Sequence, residues 1–313
     1  MTRQELSLTA DDGKPLHVIG WLPEGEVRAV VQVVHGVAEH GSRYAHVAEA
    51  LNADGIAVWT HDHRGHGATD LPQDYGFVAD NGGWDLLIHD IKLVDDHVRA
   101  VHPGVRRCLF GHSMGSMLVQ DVIDRRPRGY DAVVLSGTQM GGGPLPYAGW
   151  LIGQIECRRQ GPRGVSPILK GLSFQAWNRE FKPTATEFDW ISRDSDAVAA
   201  YAADPACGFD LSNALWLDLI GAALRAGNPQ AVNKLPKDLP ILLLTGDEDP
   251  SNGHGKLAAK LAQRYRSCGL TEVTFRSYPG ARHEVVNETN REEVLADLRE
   301  WLRVHLLAAP AEG

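Results

Sequence analysis

Residues 111–115 read Gly-His-Ser-Met-Gly, a serine with a glycine two positions away on either side. The apolar run Cys108-Leu109-Phe110 leads into it, and a helix-like segment, "MGSMLVQDVIDRRP", follows at once. Strand before and helix after is the setting in which such a turn lifts a serine hydroxyl clear of the backbone as a nucleophile. The turn is so tight that its flanking positions must be small, which the two glycines satisfy. The helix N-terminus would also lend positive potential to a developing oxyanion. Without those neighbours the same five letters describe a glycine-rich turn with an idle serine. With them, Ser113 is the candidate nucleophile.

A serine hydroxyl is a weak nucleophile alone, so a base and a group that orients it are required. In sheets of this kind the acid follows the serine along the chain and the histidine comes last, each on a loop after a strand. "ILLLTGDEDPSN" ends an apolar run with Asp247, Glu248 and Asp249, and "FRSYPGARHEVVNE" brings His283 into a loop before the last helix-like segment. Of the 14 histidines, only His283 stands on the loop that follows the final strand, in the order a triad demands. His254, its nearest rival, falls at the start of a predicted helix on the same segment as the acids. Asp249 lies further out on its loop than Asp247 and can curl back toward the histidine. It is the preferred carboxylate, ahead of Asp247 and then Glu248.

Around these residues the chain alternates. "QELSLTA" and "LHVIGWL", joined by "DDGKP", read as a β-hairpin. "RAVVQVVHG", "IAVWTHD", "RRCLFG" and "DAVVLSG" are unbroken apolar runs, as expected of strands covered on both faces. Between them lie helical patterns, such as apolar residues at 84, 87, 88, 91, 94 and 98. A hairpin followed by β-α-β-α units argues for an α/β fold: a mostly parallel sheet with helices on both faces. Residues 138–237 break the alternation and are too many for a plain loop. They are expected to form an inserted helical cap over the carboxyl edge of the sheet, where open α/β sheets bind ligands. This divides the chain into a first core part (1–137), the cap (138–237) and a second core part (238–313).

Bulk properties narrow the function. The net charge of −9 argues against a nucleic-acid partner. Cys108, Cys157, Cys207 and Cys268 lie far apart, which reads as free thiols in a reducing compartment rather than a zinc site or a disulfide framework. The polar start "MTRQELSLTADDG" lacks a signal-peptide core, and no apolar run approaches the ~20 residues of a spanning helix. A cytoplasmic protein is expected. In "HDHRGHG", His61, His63 and His66 are close together, but a two-zinc hydrolase would carry an acid where Gly65 stands. A loop packed beside the site is the preferred reading. The sequon at Asn287 carries no weight without secretion.

The segments "VVHGVAEHGSRYAHVAEAL", "DHRGHGATD", "GHSMGS", "LLLTGDEDP" and "YPGARHEVVNE" together resemble the monoacylglycerol lipase and lysophospholipase branch of the α/β-hydrolases, also called the serine aminopeptidase (S33) family. The likeness covers about residues 25–137 and 238–306 and leaves the cap unmatched. It implies the α/β-hydrolase fold and a triad of Ser113, Asp249 and His283. It also implies an oxyanion hole from the backbone N–H groups of Val37 and Met114. Glu39 and Arg43 would shape the polar end of the pocket, near the leaving alcohol. One departure is Ser116, where the family usually carries glycine or alanine. In the cap, "PLPYAGWLIGQI" and "LWLDLIGAAL" are apolar enough to face an acyl chain or a membrane surface, although core packing explains them equally well.

The expected activity is serine ester hydrolysis of a single-chain lipid ester, a monoacylglycerol or a lysophospholipid. It needs no metal and no organic cofactor. The partners are a small-molecule lipid ester and, through the cap, a transient membrane-surface contact. The same triad could serve an amidase, an aminopeptidase or a perhydrolase, and the fold also supports ligand sensors that catalyse nothing.

Overall fold

Residues 1–141 and 144–308 are described by the computed structural model; Gly142 and Gly143, in the glycine run "GGGPLP", and residues 309–313 lie outside them. The N-terminal segments pair as a hairpin, Thr2–Thr9 (β1) and Pro15–Leu22 (β2), with Thr9 opposite Pro15. Six further strands follow: Ala29–Val34 (β3), Ile56–His61 (β4), Arg106–His112 (β5), Ala132–Ser136 (β6), Ile241–Gly246 (β7) and Val273–Tyr278 (β8). They form one eight-stranded sheet in the order β1-β2-β4-β3-β5-β6-β7-β8. β2 runs antiparallel to both neighbours, and every pair from β4 to β8 is parallel.

The chain lays β4 on one side of β3 and then crosses to place β5 on the other. Loops leaving β3 and β5 at their carboxyl ends therefore diverge and open a crevice between them. The turn after β3 begins at His35, and the turn after β5 holds Ser113.

Strand residues alternate between two helix layers. On one side Leu109, Val133 and Leu243 pack with Gly83–Val101 (α2), Met114–Arg125 (α3) and Lys256–Ser267 (α10). On the other, Phe110, Val134 and Leu244 meet Ala45–Asn52 (α1) and Arg291–Leu302 (α11). The apolar residues spaced at 84, 87, 88, 91, 94 and 98 on α2 are all buried, as that spacing requires.

Between β6 and β7 come Pro144–Gln160 (α4), Pro167–Leu172 (α5), Phe174–Arg179 (α6), Ser195–Ala203 (α7), Asn213–Arg225 (α8) and Pro229–Val232 (α9). No strand occurs among the described residues of this stretch. α4 lies along α8, and α8 sends Leu215 and Trp216 into the same cluster as Trp84 and Leu118 of the core helices. Trp190, Ile191, Val198, Tyr201 and Cys207 form a small cluster of their own. The two apolar segments part company here. Trp216 is buried, whereas Leu145, Tyr147, Leu151 and Ile155 on α4 are exposed. Among the described residues no helix is long and apolar enough to cross a membrane.

Candidate active site

β5 and α3 meet at a turn with almost no room. A Cβ on Gly115 would sit 2.0 Å from the Val34 carbonyl oxygen, and one on Gly111 would sit 2.5 Å from that of Gly115. Only glycine fits at either position. Ser113 between them has φ 52° and ψ −118°, a conformation uncommon for a residue with a side chain. It is pinned by its N–H, which donates to Ser136 of β6 at 2.9 Å, and by Ser116, whose Oγ donates to the Ser113 carbonyl at 2.6 Å. Ser116, the departure from the family pattern, therefore ties down the turn it follows.

The turn after β3 lies against the same serine. A Cβ on Gly36 would approach Ser113 Cβ to 3.2 Å. Val37 follows and lines the cavity; Met114 opens α3, so its N–H has no acceptor within the helix. The β3 turn is held by Glu39, whose Oε1 accepts from the Gly36 N–H at 2.5 Å and from the Tyr44 hydroxyl at 2.9 Å. Ala38, just before Glu39, has φ 55°, and its carbonyl oxygen accepts from the Tyr201 hydroxyl at 2.7 Å and from the Gly208 N–H at 2.9 Å. Two residues from the β6–β7 insertion thus fasten the turn.

His283 and Asp249 meet in the interior. His283 Nδ1 lies 2.9 Å from Asp249 Oδ2, and both residues are buried. Asp249 also accepts from Ser251 Oγ at 2.7 Å, from the Ser251 N–H at 2.9 Å and from Asn252 Nδ2 at 2.9 Å. Ser251 Oγ stands 3.1 Å from His283 Nδ1 as well. Burial works against both charges, yet each is favoured by the other. The Asp249 carboxyl is held below its usual range by the His283 charge and these hydrogen bonds, and the imidazole of His283 is raised by Asp249. Asp247 instead accepts from the Gly280 N–H at 2.6 Å. Glu248 is exposed. His254 sits in a left-handed turn ahead of α10, exposed and paired with Glu180 at 3.1 Å.

Glu39 and Arg43 are placed differently from one another. Glu39 lines the cavity, but its oxygens are engaged by Gly36, Tyr44 and Arg43. Arg43 does not line it. Its guanidinium is fixed between Glu39 and Glu284, reaching the two Glu284 oxygens at 2.8 and 2.6 Å. Burial opposes ionisation of Glu284, but Arg43 wins and holds it down at about 2. One half-buried cation therefore links the turn beside Ser113 to the residue next to His283. Glu284 has no signal in the sequence beyond its adjacency to that histidine.

His61, His63 and His66 are fully buried, with the ring of His35 against that of His63 at 4.1 Å between centroids, tilted by 45°. His35 Nε2 accepts from the His63 N–H at 3.0 Å, which locks the loop under the β3 turn. Among the described residues the group of side chains close enough to share one ion is His40, Asp204 and Cys207, not these histidines. There His40 and Asp204 already bond each other at 2.9 Å, and burial holds the Cys207 thiol protonated.

Ser113 and His283 open onto one cavity of about 670 Å³. Its walls are mostly apolar, supplied largely by Leu145, Ile152, Phe174, Trp216 and Ile220 of the β6–β7 insertion, with Lys170, Glu187, Lys256 and Lys260 also lining it.

The family model described as serine aminopeptidase, S33, matches residues 25–290. The chain is 31% identical to the monoacylglycerol lipase of Mycolicibacterium smegmatis, over 97% of this chain and 99% of that protein. It is 29% identical to the monoglyceride lipase of Mus musculus, over 96% and 91%. A thermostable carboxyl esterase from Bacillus coagulans, solved with glycerol, superposes with a TM-score of 0.89 at 27% identity, over 98% and 99% of the two chains.

Buried neutral histidines make stability depend on pH. Burial lowers the pKa of His35, His61 and His63 below the ordinary 6.5, and that of His66 and His112 to about 4. As pH falls below 6.5 the unfolded chain takes up protons that the native state refuses, so stability declines down to about pH 4. Denaturant midpoints measured across that window should fall steadily with acid. A flat profile would contradict neutral burial of these rings.

Proposed function

The chain belongs to the serine aminopeptidase S33 family, and we propose that it is a serine ester hydrolase of single-chain lipid esters, monoacylglycerols or lysophospholipids, with Ser113, His283 and Asp249 as its triad. The supporting observation is the buried Asp249–His283 pair facing the same apolar cavity as the strained Ser113 turn.

His283 spends Nδ1 on Asp249, which fixes the tautomer and leaves Nε2 to take the Ser113 proton. Oγ bonds to the ester carbonyl carbon, and the oxyanion is received by the N–H groups of Val37 and Met114. Collapse breaks the carbon–oxygen bond to the alcohol, which leaves with the proton from His283. Water then attacks the acyl-enzyme, giving its proton to His283; the acid departs and Ser113 is reprotonated. The cavity walls suit an acyl chain, since they offer apolar surface and no charge to satisfy along α4 and α8.

The same reading treats residues 138–237 as a cap between core parts 1–137 and 238–313. Exposed Leu145, Tyr147 and Leu151 on α4 support a transient contact of that cap with a lipid surface. The four cysteines are free thiols, which supports a cytoplasmic location.

Glycerol release from monoacylglycerols of graded chain length tests the reading. Turnover should peak at one length and vanish in Ser113→Ala; a folded wild type that releases no glycerol and no fatty acid from any of them would overturn it. For the acid, Asp249→Asn should cost about ten-thousand-fold in kcat, as expected when the base loses its orienting carboxylate. Asp247→Asn should stay within about twofold, because that side chain only closes a turn. Comparable losses in the two variants would refute the assignment.

A further inference from the structure

Each oxygen of the Asp249 carboxylate receives two donors. Oδ2 takes His283 Nδ1–H and Asn252 Nδ2, both at 2.9 Å. Oδ1 takes the Ser251 N–H at 2.9 Å and the Ser251 hydroxyl at 2.7 Å. Asn252 is committed to the fold as well. It is fully buried, its amide also donates to Thr245 Oγ1 at 3.0 Å, and its Oδ1 accepts from the Gly255 N–H at 2.7 Å. The Ser251 hydroxyl is different. Among the described residues its hydrogen-bonding partners are Asp249 and His283 alone. The turn does not need it, because the Ser251 N–H already closes that turn on the same carboxylate oxygen.

A hydroxyl has one proton, and the 2.7 Å bond spends it on Oδ1. Toward His283 Nδ1, 3.1 Å away, the same oxygen can only accept. Ser251 therefore braces the carboxylate from the side opposite Asn252, and its oxygen lies beside the N–H that the carboxylate orients. A short O–H···O⁻ bond also takes up part of a carboxylate's charge. In this dry site that matters to the base. Burial opposes a charge on His283, and Asp249 outweighs it, with Glu284 and Glu39 adding to the same side.

Resting on the serine hydrolase reading, we propose that Ser251 is a positioning residue: its hydroxyl holds Asp249 with Oδ2 toward His283 Nδ1 and shares the negative charge that the imidazole meets. Without the hydroxyl the carboxylate acts on the imidazole with more of its charge. His283 then keeps its proton to higher pH and serves as a base over a narrower range. The other groups around the ring do not depend on Ser251. Glu284 and Glu39 are both held by Arg43, the ring of His112 on β5 lies 4.9 Å away and is kept neutral by burial down to about pH 4, and the insertion presents the uncharged Trp190.

The rate at which a fluorophosphonate labels Ser113, followed against pH, reads the base without any ester substrate. In Ser251→Ala its acid limb should move up by about half a pH unit, leaving roughly threefold less free base below the limb. Ser251→Thr keeps a hydroxyl and should return the limb to its wild-type position. The position of the limb does not depend on how much of a variant is folded; if Ser251→Ala yields no folded protein, Ser251→Gly removes the same group. A limb that stays in place or moves down without the hydroxyl, or that threonine leaves displaced, would overturn the assignment. A wild type that labels at Ser113 and cleaves no lipid ester would remove the substrate reading and leave this test standing. A wild type that never labels would remove the triad and the role of Ser251 with it.

Discussion

Backbone touches backbone where this protein turns from β5 into α3, and everything at the site depends on that contact. With 2.0 Å between a would-be Cβ of Gly115 and the Val34 carbonyl oxygen, α3 can rest on β3 only through a bare glycine. The close approach fixes the angle at which the helix leaves the sheet and holds Ser113 at positive φ. It also brings the turn after β3 within contact of the serine, so that two loops diverging from a topological switch point face one crevice. Strain at Ser113 persists because β3, β6 and Ser116 each hold one side of it.

A second constraint ties the base to the same place. Arg43 is half-buried with buried carboxylates on both sides, one from the β3 turn and one from the histidine loop. Without Arg43 both buried carboxylates would be left uncompensated, so the one cation holds the two loops together. The insertion adds its own fastenings, Tyr201 and Gly208 to Ala38, and Ile191 and Ser192 to the loop of His283. The stretch that walls the cavity is thereby also part of what aims the residues beneath it.

Much of this was readable before any coordinates. Local rules carry the turn, since glycine spacing, the preceding strand and the following helix all lie within a dozen residues. The alternation of elements gave the sheet and its two helix layers, and the position of Asp249 on its loop singled out the carboxylate that meets His283. Contacts spanning long stretches of chain were not readable. Glu284 meets Arg43 across 241 residues, and Tyr201 meets Ala38 across 163; no spacing marks either pair. Apolar segments were ambiguous for a physical reason: α4 is apolar around much of its circumference, and burial on one side leaves Leu145, Tyr147 and Leu151 outside.

The most direct test of serine catalysis is reaction with a fluorophosphonate, with the modified peptide located by mass spectrometry. A nucleophile activated by His283 predicts a single adduct at Ser113, lost in His283→Ala and kept in His254→Ala. An adduct on another residue, or undiminished labelling of Ser113 without His283, would contradict it.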